Sequence, residues 1–315
     1  MLMFKTLFVV VAVVLLGSLS TVAAQPLMPK AVKVAPDTYM VQGVSALGSS
    51  ANRNFISNAA FVVTRDGVLV VDALGSPALA AELLAEIRRI TPAPVRYVVV
   101  THYHADHIYG LQAFKDAGAT IIAQKDGQLY LNSETAALRL KASREDLAPA
   151  VDADTRLVPA DRWVDQRTTL QLGGLDFVLQ PTGPAHTPED LVVWVPQRNL
   201  LIAGDLVFRG RIPFVGQADS GRWITALDTL LAFDASVIIP GHGPVSRSAR
   251  ADLELTRDYL VYLRQTMGEA ARSMDPFEEA YARTDWSRFD TLPLFNAANR
   301  INAYNTYLLM EQGAK

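Results

Sequence analysis

The sequence predicts an α/β (α+β) fold: a sandwich of two mixed β-sheets with helices on both outer faces. Two observations predict this fold. Segments with the periodicity of strands and of helices occur in two successive groups, and no internal repeat of fixed length links them. Half of the 315 residues are hydrophobic, which is enough for one large core. We therefore expect one principal domain.

The first group of segments predicts strands, then a helix, then a buried strand. The helix has apolar residues at helical spacing and stops at Thr91 and Pro92. The β-branched run 95–100 is typical of a buried strand and leads directly to His102. In order, the predicted elements are strands at 38–46, 59–64 and 68–72, a helix at 77–90, the strand at 95–100, a helix near 109–116, a strand at 120–123 and a helix at 124–141.

The second group follows a polar stretch at 145–161, which we expect to form a surface excursion. From Ser248 onward the tail is predicted to be helical, with a stripe of leucines. This tail could cover the functional site, bind a partner or complete the core. The elements predicted before the tail are strands at 168–172, 175–179, 191–195 and 200–203, a helix at 223–233 and a strand at 237–239.

The first 24 residues are typical of a secretory signal peptide. Lys5 precedes an apolar run at 7–16, and small residues lead to a predicted cleavage site after Ala24. The run is shorter than the roughly 20 residues that a membrane-spanning helix needs, so no stable membrane span is expected after cleavage. We expect the mature protein to be periplasmic or secreted. The predicted divisions are a signal peptide 1–24, a linker 25–37, a main domain 38–245 and a helical C-terminal extension 246–315 packed on it.

Charge and composition exclude some classes of partner. A formal net charge of −3 and the predicted export argue against binding of nucleic acid. The chain contains no cysteine, so any bound metal must be held by histidine and carboxylate side chains. We expect a small-molecule substrate.

All five histidines of the chain stand in settings typical of metal ligands. His102 and His104 are two residues apart at the end of a predicted strand, where an extended backbone can point both rings to one side. Asp106 and His107 follow on the turn, where they can point to a neighbouring position. One short segment could thus serve two metal ions.

Three further candidate ligands lie at the tips of predicted strands or in the loops that follow them: His186, Asp205 and His242. Loops on a rigid scaffold commonly carry functional sites. A single His or Asp in such a place is usually solvated or caps the backbone. Four such side chains within 102–107 have no packing purpose, because each would need a buried partner. The sequence therefore predicts a metal site at one edge of the sandwich.

The run Thr101-His102-Tyr103-His104-Ala105-Asp106-His107, followed by His186, Asp205 and His242, resembles the motif of the metallo-β-lactamase superfamily. The resemblance covers roughly residues 38–245. It implies a four-layer αββα sandwich whose domain 38–245 is catalytic. It also implies that His102, His104 and His186 bind a first metal, that Asp106, His107 and His242 bind a second, and that Asp205 bridges both.

Within the superfamily, the chain resembles the general hydrolases. Most true β-lactamases carry Cys or Ser at the position of Asp205, whereas glyoxalase II-like thioesterases, lactonases and phosphodiesterases carry the bridging Asp. His104 argues against the di-iron oxygen-reducing branch, which has Glu there. The segment 203–223 resembles exported zinc hydrolases associated with periplasmic quinoprotein and sulfur-oxidation systems, which implies a partner in a periplasmic redox system.

The resemblance implies an exported hydrolase with two Zn2+ ions, although His and carboxylate sites also accept Fe or Mn. A metal-bridging hydroxide would cleave a small ester, thioester, lactone or lactam. Asp106 would orient the hydroxide and accept its proton, and Asp205 would set the metal separation, so these two are the predicted catalytic residues. Asp72 could hydrogen-bond a ligand histidine or merely cap a turn.

The predicted substrate-binding residues are Phe208, Arg209, Arg211 and Phe214, which follow Asp205. The arginines could bind a carboxylate while the Phe rings line an apolar pocket, or the segment could be a solvated basic loop. The loop 48–55 could form a flap with Phe55 as its apolar tip, or be an ordinary hairpin loop.

Three other functions remain open. A mononuclear iron persulfide dioxygenase would keep the same Thr-His-x-His-Ala-Asp-His run and would contain one iron. A β-lactamase that cleaves antibiotics is the second alternative. The third is a non-catalytic accessory protein, although structural zinc sites are normally closed by four protein ligands.

Overall fold

The computed structural model describes residues 28–216 and 218–313 of the chain. The predicted signal peptide 1–24 lies outside the described residues. None of the helices in these two ranges is both long enough and apolar enough to cross a membrane.

The first sheet has seven strands in sequence order. Neighbouring strands from β1 to β4 are antiparallel, and those from β4 to β7 are parallel. The strands are β1 (Val32–Ala35), β2 (Thr38–Val41), β3 (Ala59–Thr64), β4 (Gly67–Val71), β5 (Val95–Val99), β6 (Thr120–Gln124) and β7 (Arg162–Val164).

The second sheet has five strands in the order β12-β11-β10-β9-β8. Only its β11 and β12 pair in parallel; the other pairs are antiparallel. The strands are β8 (Thr168–Leu172), β9 (Leu175–Pro181), β10 (Leu191–Val195), β11 (Leu200–Phe208) and β12 (Val237–His242).

Helices cover the outer face of each sheet. Five helices lie in the chain between β4 and β7 of the first sheet: α1 (Pro77–Ile90), α2 (Ala105–Ile108), α3 (Leu111–Asp116), α4 (Gly127–Leu131) and α5 (Glu134–Asp146). The second sheet carries α6 (Ser220–Leu231) and is followed by α7 (Ala249–Arg272), α8 (Phe277–Arg283) and α9 (Phe295–Gly313).

Three apolar clusters hold the layers together. Leu69 of β4 and Phe177 of β9 belong to a cluster between the two sheets. Val70, the next residue of β4, packs on the opposite face with Leu83 of α1, as the period-two alternation of a strand requires. On the far side, Leu201 of β11 packs with Leu260 of α7. The layer order is therefore helix, sheet, sheet, helix, and the predicted sandwich is confirmed.

Some predicted boundaries are wrong. Strand β1 lies inside the stretch expected to be a linker, so the sheet begins earlier than residue 38. The helix predicted over 124–141 is two helices, because the Ser133 side chain caps a new helix by accepting from the Ala136 N–H. Strand β11 continues past the predicted end at residue 203 to Phe208, with an irregularity at Gly204.

Candidate metal centre

The seven predicted ligands come from four places in the chain and meet at one edge of the sandwich. The first four, within 102–107, follow β5 and continue onto α2. His186 lies in the loop between β9 and β10, Asp205 lies on β11, and His242 ends β12. Their ligand atoms form two groups, each within 4.8 Å: His102, His104, His186 and Asp205, and then Asp106, His107 and His242. The structure thus brings together every residue that the motif singled out.

Asp205 lies between the two groups. Its Oδ2 is 3.4 Å from His186 Nε2 and 3.3 Å from His242 Nε2, and its Oδ1 is 3.2 Å from His107 Nε2. Asp106 Oδ2 is 3.3 Å from His242 Nε2. One carboxylate therefore contacts both groups, as the resemblance implies for a bridging ligand.

Several ligand atoms are buried without a hydrogen-bond partner in the described residues. They are the Nε2 atoms of His102 and His107 and the Oδ1 of Asp205. Leaving a buried polar atom unpaired costs about 1–3 kcal/mol. A cation bound to each group would satisfy these atoms. A set of nitrogen and carboxylate donors suits a divalent metal, typically zinc.

Asp72 orients two of the ligand histidines. Its Oδ2 accepts a hydrogen bond from His107 Nδ1 at 2.8 Å and another from Thr101 Oγ1 at 2.9 Å. Thr101 Oγ1 in turn lies 3.0 Å from His102 Nδ1. Both rings therefore carry their proton on Nδ1 and turn Nε2 toward the cluster. Of the two roles left open for Asp72, the structure shows the hydrogen bond to a ligand histidine.

His242 and His186 are held by contacts that the sequence analysis missed. His242 Nδ1 donates to the Ile56 carbonyl at 2.7 Å, and its ring stacks on Phe208 with centroids 5.0 Å apart. The His186 ring lies against Trp223, with centroids 5.0 Å apart. The helical pattern around residue 223 predicts a buried side chain, but it carries no signal about what that side chain contacts.

The loop that carries His186 is fixed by two buried carboxylates, which were also missed. Asp190 accepts from the Thr187 N–H at 2.8 Å, and Glu189 accepts from the Tyr103 N–H at 3.1 Å. Burial raises the pKa of both carboxyl groups. The Glu189 contact joins this loop to the segment between His102 and His104.

Close backbone approach explains a glycine at the end of β12. A Cβ on Gly241 would lie 1.9 Å from Asp205 Oδ1. Asn58 holds the same turn, because its Nδ2 donates to the carbonyls of Pro240 and Gly243, each at 2.8 Å. Asp205 and His242 can therefore approach each other only with glycine at position 241.

The electrostatic field of the cluster separates the pKa values of its histidines. Desolvation holds the pKa of His102 well below its usual value and lowers the pKa of His104 to about 4 and of His186 to about 3. Desolvation acts in the same direction on His107 and His242, but nearby carboxylates outweigh it and raise the pKa of both. Burial opposes ionisation of Asp106 and Asp205, but the neighbouring histidines hold the pKa of both carboxyls low.

Two cavities open onto the cluster. One has a volume of about 270 Å³ and is lined by Asp106, Asp205 and His242 together with apolar side chains. The other has a volume of about 640 Å³ and extends past His186 and Glu189. His104, Arg139 and Phe214 line both, so the two cavities adjoin at the cluster.

Only some of the predicted substrate-binding residues lie at the cavity. Phe208, Arg211 and Phe214 line the smaller cavity. The role predicted for Arg209 is wrong, because its guanidinium bonds the Asp252 carboxylate and the Val245 carbonyl instead. Phe55 is buried in the core and is not a flap tip; Leu47, which is 61% exposed, lies at the cavity.

Comparison with known proteins agrees with this architecture. A family model of the metallo-beta-lactamase superfamily matches residues 52–242. A linear primary-alkylsulfatase of Pseudomonas sp. is 28% identical over 250 residues, which cover 68% of this chain and 47% of that protein. A type 2 metallo-beta-lactamase of Bacillus sp. is 28% identical over 194 residues, which cover 60% of this chain and 67% of that protein.

Solved structures share the fold. The sec-alkylsulfatase Pisa1 from Pseudomonas sp. aligns with a TM-score of 0.70 and 17% identity over 89% of this chain and 50% of its own. A metallo-beta-lactamase from Pontibacter korlensis aligns with a TM-score of 0.57 and 22% identity over 74% of this chain and 98% of its own. The chain thus spans about half the length of the alkylsulfatases it matches.

Replacing Asp72 should weaken metal binding. In Asp72→Ala, the rings of His102 and His107 lose the contacts that set their proton positions, so zinc affinity should fall by about 10- to 100-fold. Competition with a chromophoric chelator measures this affinity. Asp66→Ala, in the exposed turn before β4, is the control. Unchanged affinity in Asp72→Ala would show that Asp72 does not orient the ligands.

Metal loss on acidification should occur in two steps. A histidine with a raised pKa keeps its proton to higher pH, and a protonated imidazole cannot bind metal. The group with His107 and His242 should therefore release its ion first as pH falls, and the group with His102, His104 and His186 only at lower pH. Elemental mass spectrometry after dialysis at a series of pH values measures the steps. His107→Ala should lack the first step; release in the opposite order would contradict the assignment.

Proposed function

The chain belongs to the metallo-β-lactamase superfamily, and on that premise we propose that it is an exported hydrolase with two zinc ions that cleaves a small ester, thioester, lactone or lactam. The buried cluster of seven ligand side chains carries this proposal. Its unpaired Nε2 and carboxylate oxygen atoms support the presence of bound cations. A partner in a periplasmic redox system stays a prediction.

We assign the first ion to His102, His104 and His186 and the second to Asp106, His107 and His242, with Asp205 shared by both. The position of Asp205 between the groups supports this division. Bound divalent ions would supply Lewis-acid activation of water and of the scissile group.

The protein's own side chains would position the reactants. The Asp106 carboxylate is 14% exposed and lines the smaller cavity, where it can orient an attacking water and accept its proton. Phe208 and Ile56 give the same cavity apolar walls beside this carboxylate. These contacts support a catalytic role for Asp106.

Arg211 is suited to an anionic substrate. Its side chain is buried, and within the described ranges it forms no ion pair with a carboxylate; its Nε donates only to the Ile212 carbonyl, at 3.4 Å. Its Nη1 lies 3.3 Å from His242 Nδ1, but that nitrogen already donates to Ile56. A buried guanidinium without a carboxylate partner favours an anion from outside the chain.

An alkyl sulfate ester is a second candidate substrate. The buried guanidinium of Arg211 beside an apolar cavity favours it, because an alkyl sulfate combines an anion with an apolar chain. The resemblance of this chain to a linear primary-alkylsulfatase of Pseudomonas sp. also supports this candidate. The metallo-beta-lactamase of Bacillus sp. keeps lactams among the candidates.

Metal content and hydrolysis should be measured together. The purified chain should contain about two zinc ions and should hydrolyse at least one of a thioester, a lactone, a β-lactam and an alkyl sulfate. Chelation should abolish the activity and Zn2+ should restore it, whereas Mg2+, which prefers oxygen ligands, should not. One iron per chain and no hydrolysis would overturn the proposal and favour the persulfide dioxygenase alternative.

Arg211 should select for negative charge on the substrate. In Arg211→Met, kcat/KM for a carboxylate-bearing p-nitrophenyl ester should fall by about 10- to 100-fold, since a hydrogen bond to a charged group is lost. The value for a neutral ester of the same length should change by less than about threefold. Arg209→Met is the matched control and should leave the ratio of the two values unchanged. Equal losses for both esters would mean that Arg211 supports His242 rather than the substrate.

A further inference from the structure

The C-terminal helix α9 forms part of the smaller cavity. Ala297 and Ala298 of α9 line it, opposite the metal ligands Asp106, Asp205 and His242. The remaining walls are mostly apolar and come from Ala46, Leu47, Ile56, Ala105, Phe208 and Phe214. Among the nonligand residues that line this cavity, only Arg139 and Arg211 are charged. A space of this kind suits an apolar chain attached to the scissile group.

Asparagines of α9 hold the segment that carries Phe214. Asn302 Nδ2 donates to the Pro213 carbonyl at 2.7 Å, and Asn302 Oδ1 accepts from the Val215 N–H at 2.9 Å. One side chain therefore bonds the backbone on both sides of Phe214. Asn305 Nδ2 adds a bond to the Gly216 carbonyl at 2.6 Å.

The amide of Asn302 is itself held in one orientation. Its second Nδ2 hydrogen bonds Tyr259 Oη at 3.0 Å, and Tyr259 donates to Asn299 Oδ1 at 2.8 Å. Asn299 and Asn302 are fully buried. A buried polar network whose members are all paired is rigid.

The spacing of these asparagines supports a positional role. Asn299, Asn302 and Asn305 recur every three residues, so they lie near one another on the helix surface. Asparagine is a poor helix former and is costly to bury, and a helix that only completed a core would carry apolar residues there.

We propose that α9 forms the wall of a subsite for the apolar chain of the substrate, and that Asn302 is a positioning residue that sets the shape of this subsite through Phe214. This inference rests on the proposed function and deepens it, since it names an ester with an apolar chain as the substrate class. Leu47 and Phe214, which are 61% and 43% exposed, provide the apolar mouth through which the chain enters.

Binding of unbranched alkanesulfonates tests the subsite without hydrolysis. Calorimetry on the zinc-loaded protein with ethane- to octanesulfonate should give a Kd that falls about fourfold per methylene until the cavity is filled. Ala297→Phe places a large side chain at an exposed helix position that lines the cavity, so it should abolish the gain for the longer chains. Asn296→Phe, one residue earlier on the same helix, does not line the cavity and should keep the gain.

Asn302→Leu tests the positioning role. It should flatten the dependence of Kd on chain length, and it should raise KM for a p-nitrophenyl octanoate while kcat and KM for the acetate and the zinc content stay unchanged. A merely structural role for Asn302 would reduce activity on both esters alike, and this result would overturn that part of the inference.

The outcomes separate the subsite from the activity. A dependence of Kd on chain length that is lost in Ala297→Phe supports the subsite even if no ester is cleaved, in which case the proposed function fails alone. Two results would overturn the subsite: a Kd that is independent of chain length, and an Ala297→Phe variant that binds like the wild type. If hydrolysis is observed alongside either result, the proposed function still stands.

Discussion

The rest of the structure depends on a desolvation constraint: seven polar ligand side chains occupy one largely buried site. Buried carboxylates and imidazoles are costly unless they are paired. Here they are paired only in part, because the Nε2 of His102, the Nε2 of His107 and one oxygen of Asp205 make no hydrogen bond in the described residues. The pKa of His102 is lowered because desolvation dominates there, whereas nearby carboxylates raise the pKa of His107. Charge is therefore compensated unevenly within the cluster. Bound cations would complete this arrangement, which packing alone leaves incomplete.

Hydrogen bonds from the surrounding fold orient these side chains. Asp72 keeps the proton of His107 on Nδ1, and the Ile56 carbonyl does the same for His242. Asp72 has a positive φ of 64°, a costly conformation for a residue other than glycine. It is held there by the Thr101 N–H and side chain, each of which donates to its carboxylate. Strand ends therefore do more than carry ligands, because they also set which nitrogen of each ring faces the cluster.

A feature could be predicted from the sequence when the residues that determine it are close together in the chain. Ligands at strand ends are local, because a strand places its end at a sheet edge whatever the tertiary details. The choice between Arg209 and Arg211 is not local: they are two residues apart, and Asp252 on a distant helix decides which one faces away. The contact of Trp223 with His186 is equally remote. The asparagines of α9 did carry a signal, but the interpretation of the tail rested on its leucines.

The cavity is lined both by the candidate metal ligands and by side chains that are not ligands. The ligands lie on the part of the chain matched by the superfamily model, 52–242, and proteins of different named activities resemble this part. A fold and a metal cluster of this kind cannot by themselves distinguish a sulfate ester from a lactam. The alignment with Pisa1 covers 89% of this chain, which is more than residues 28–248 alone can supply, so it includes part of the helical tail. Selectivity is better sought among the nonligand side chains that line the cavity, which include Arg211 and Phe214 within the matched part and Ala297 in the tail.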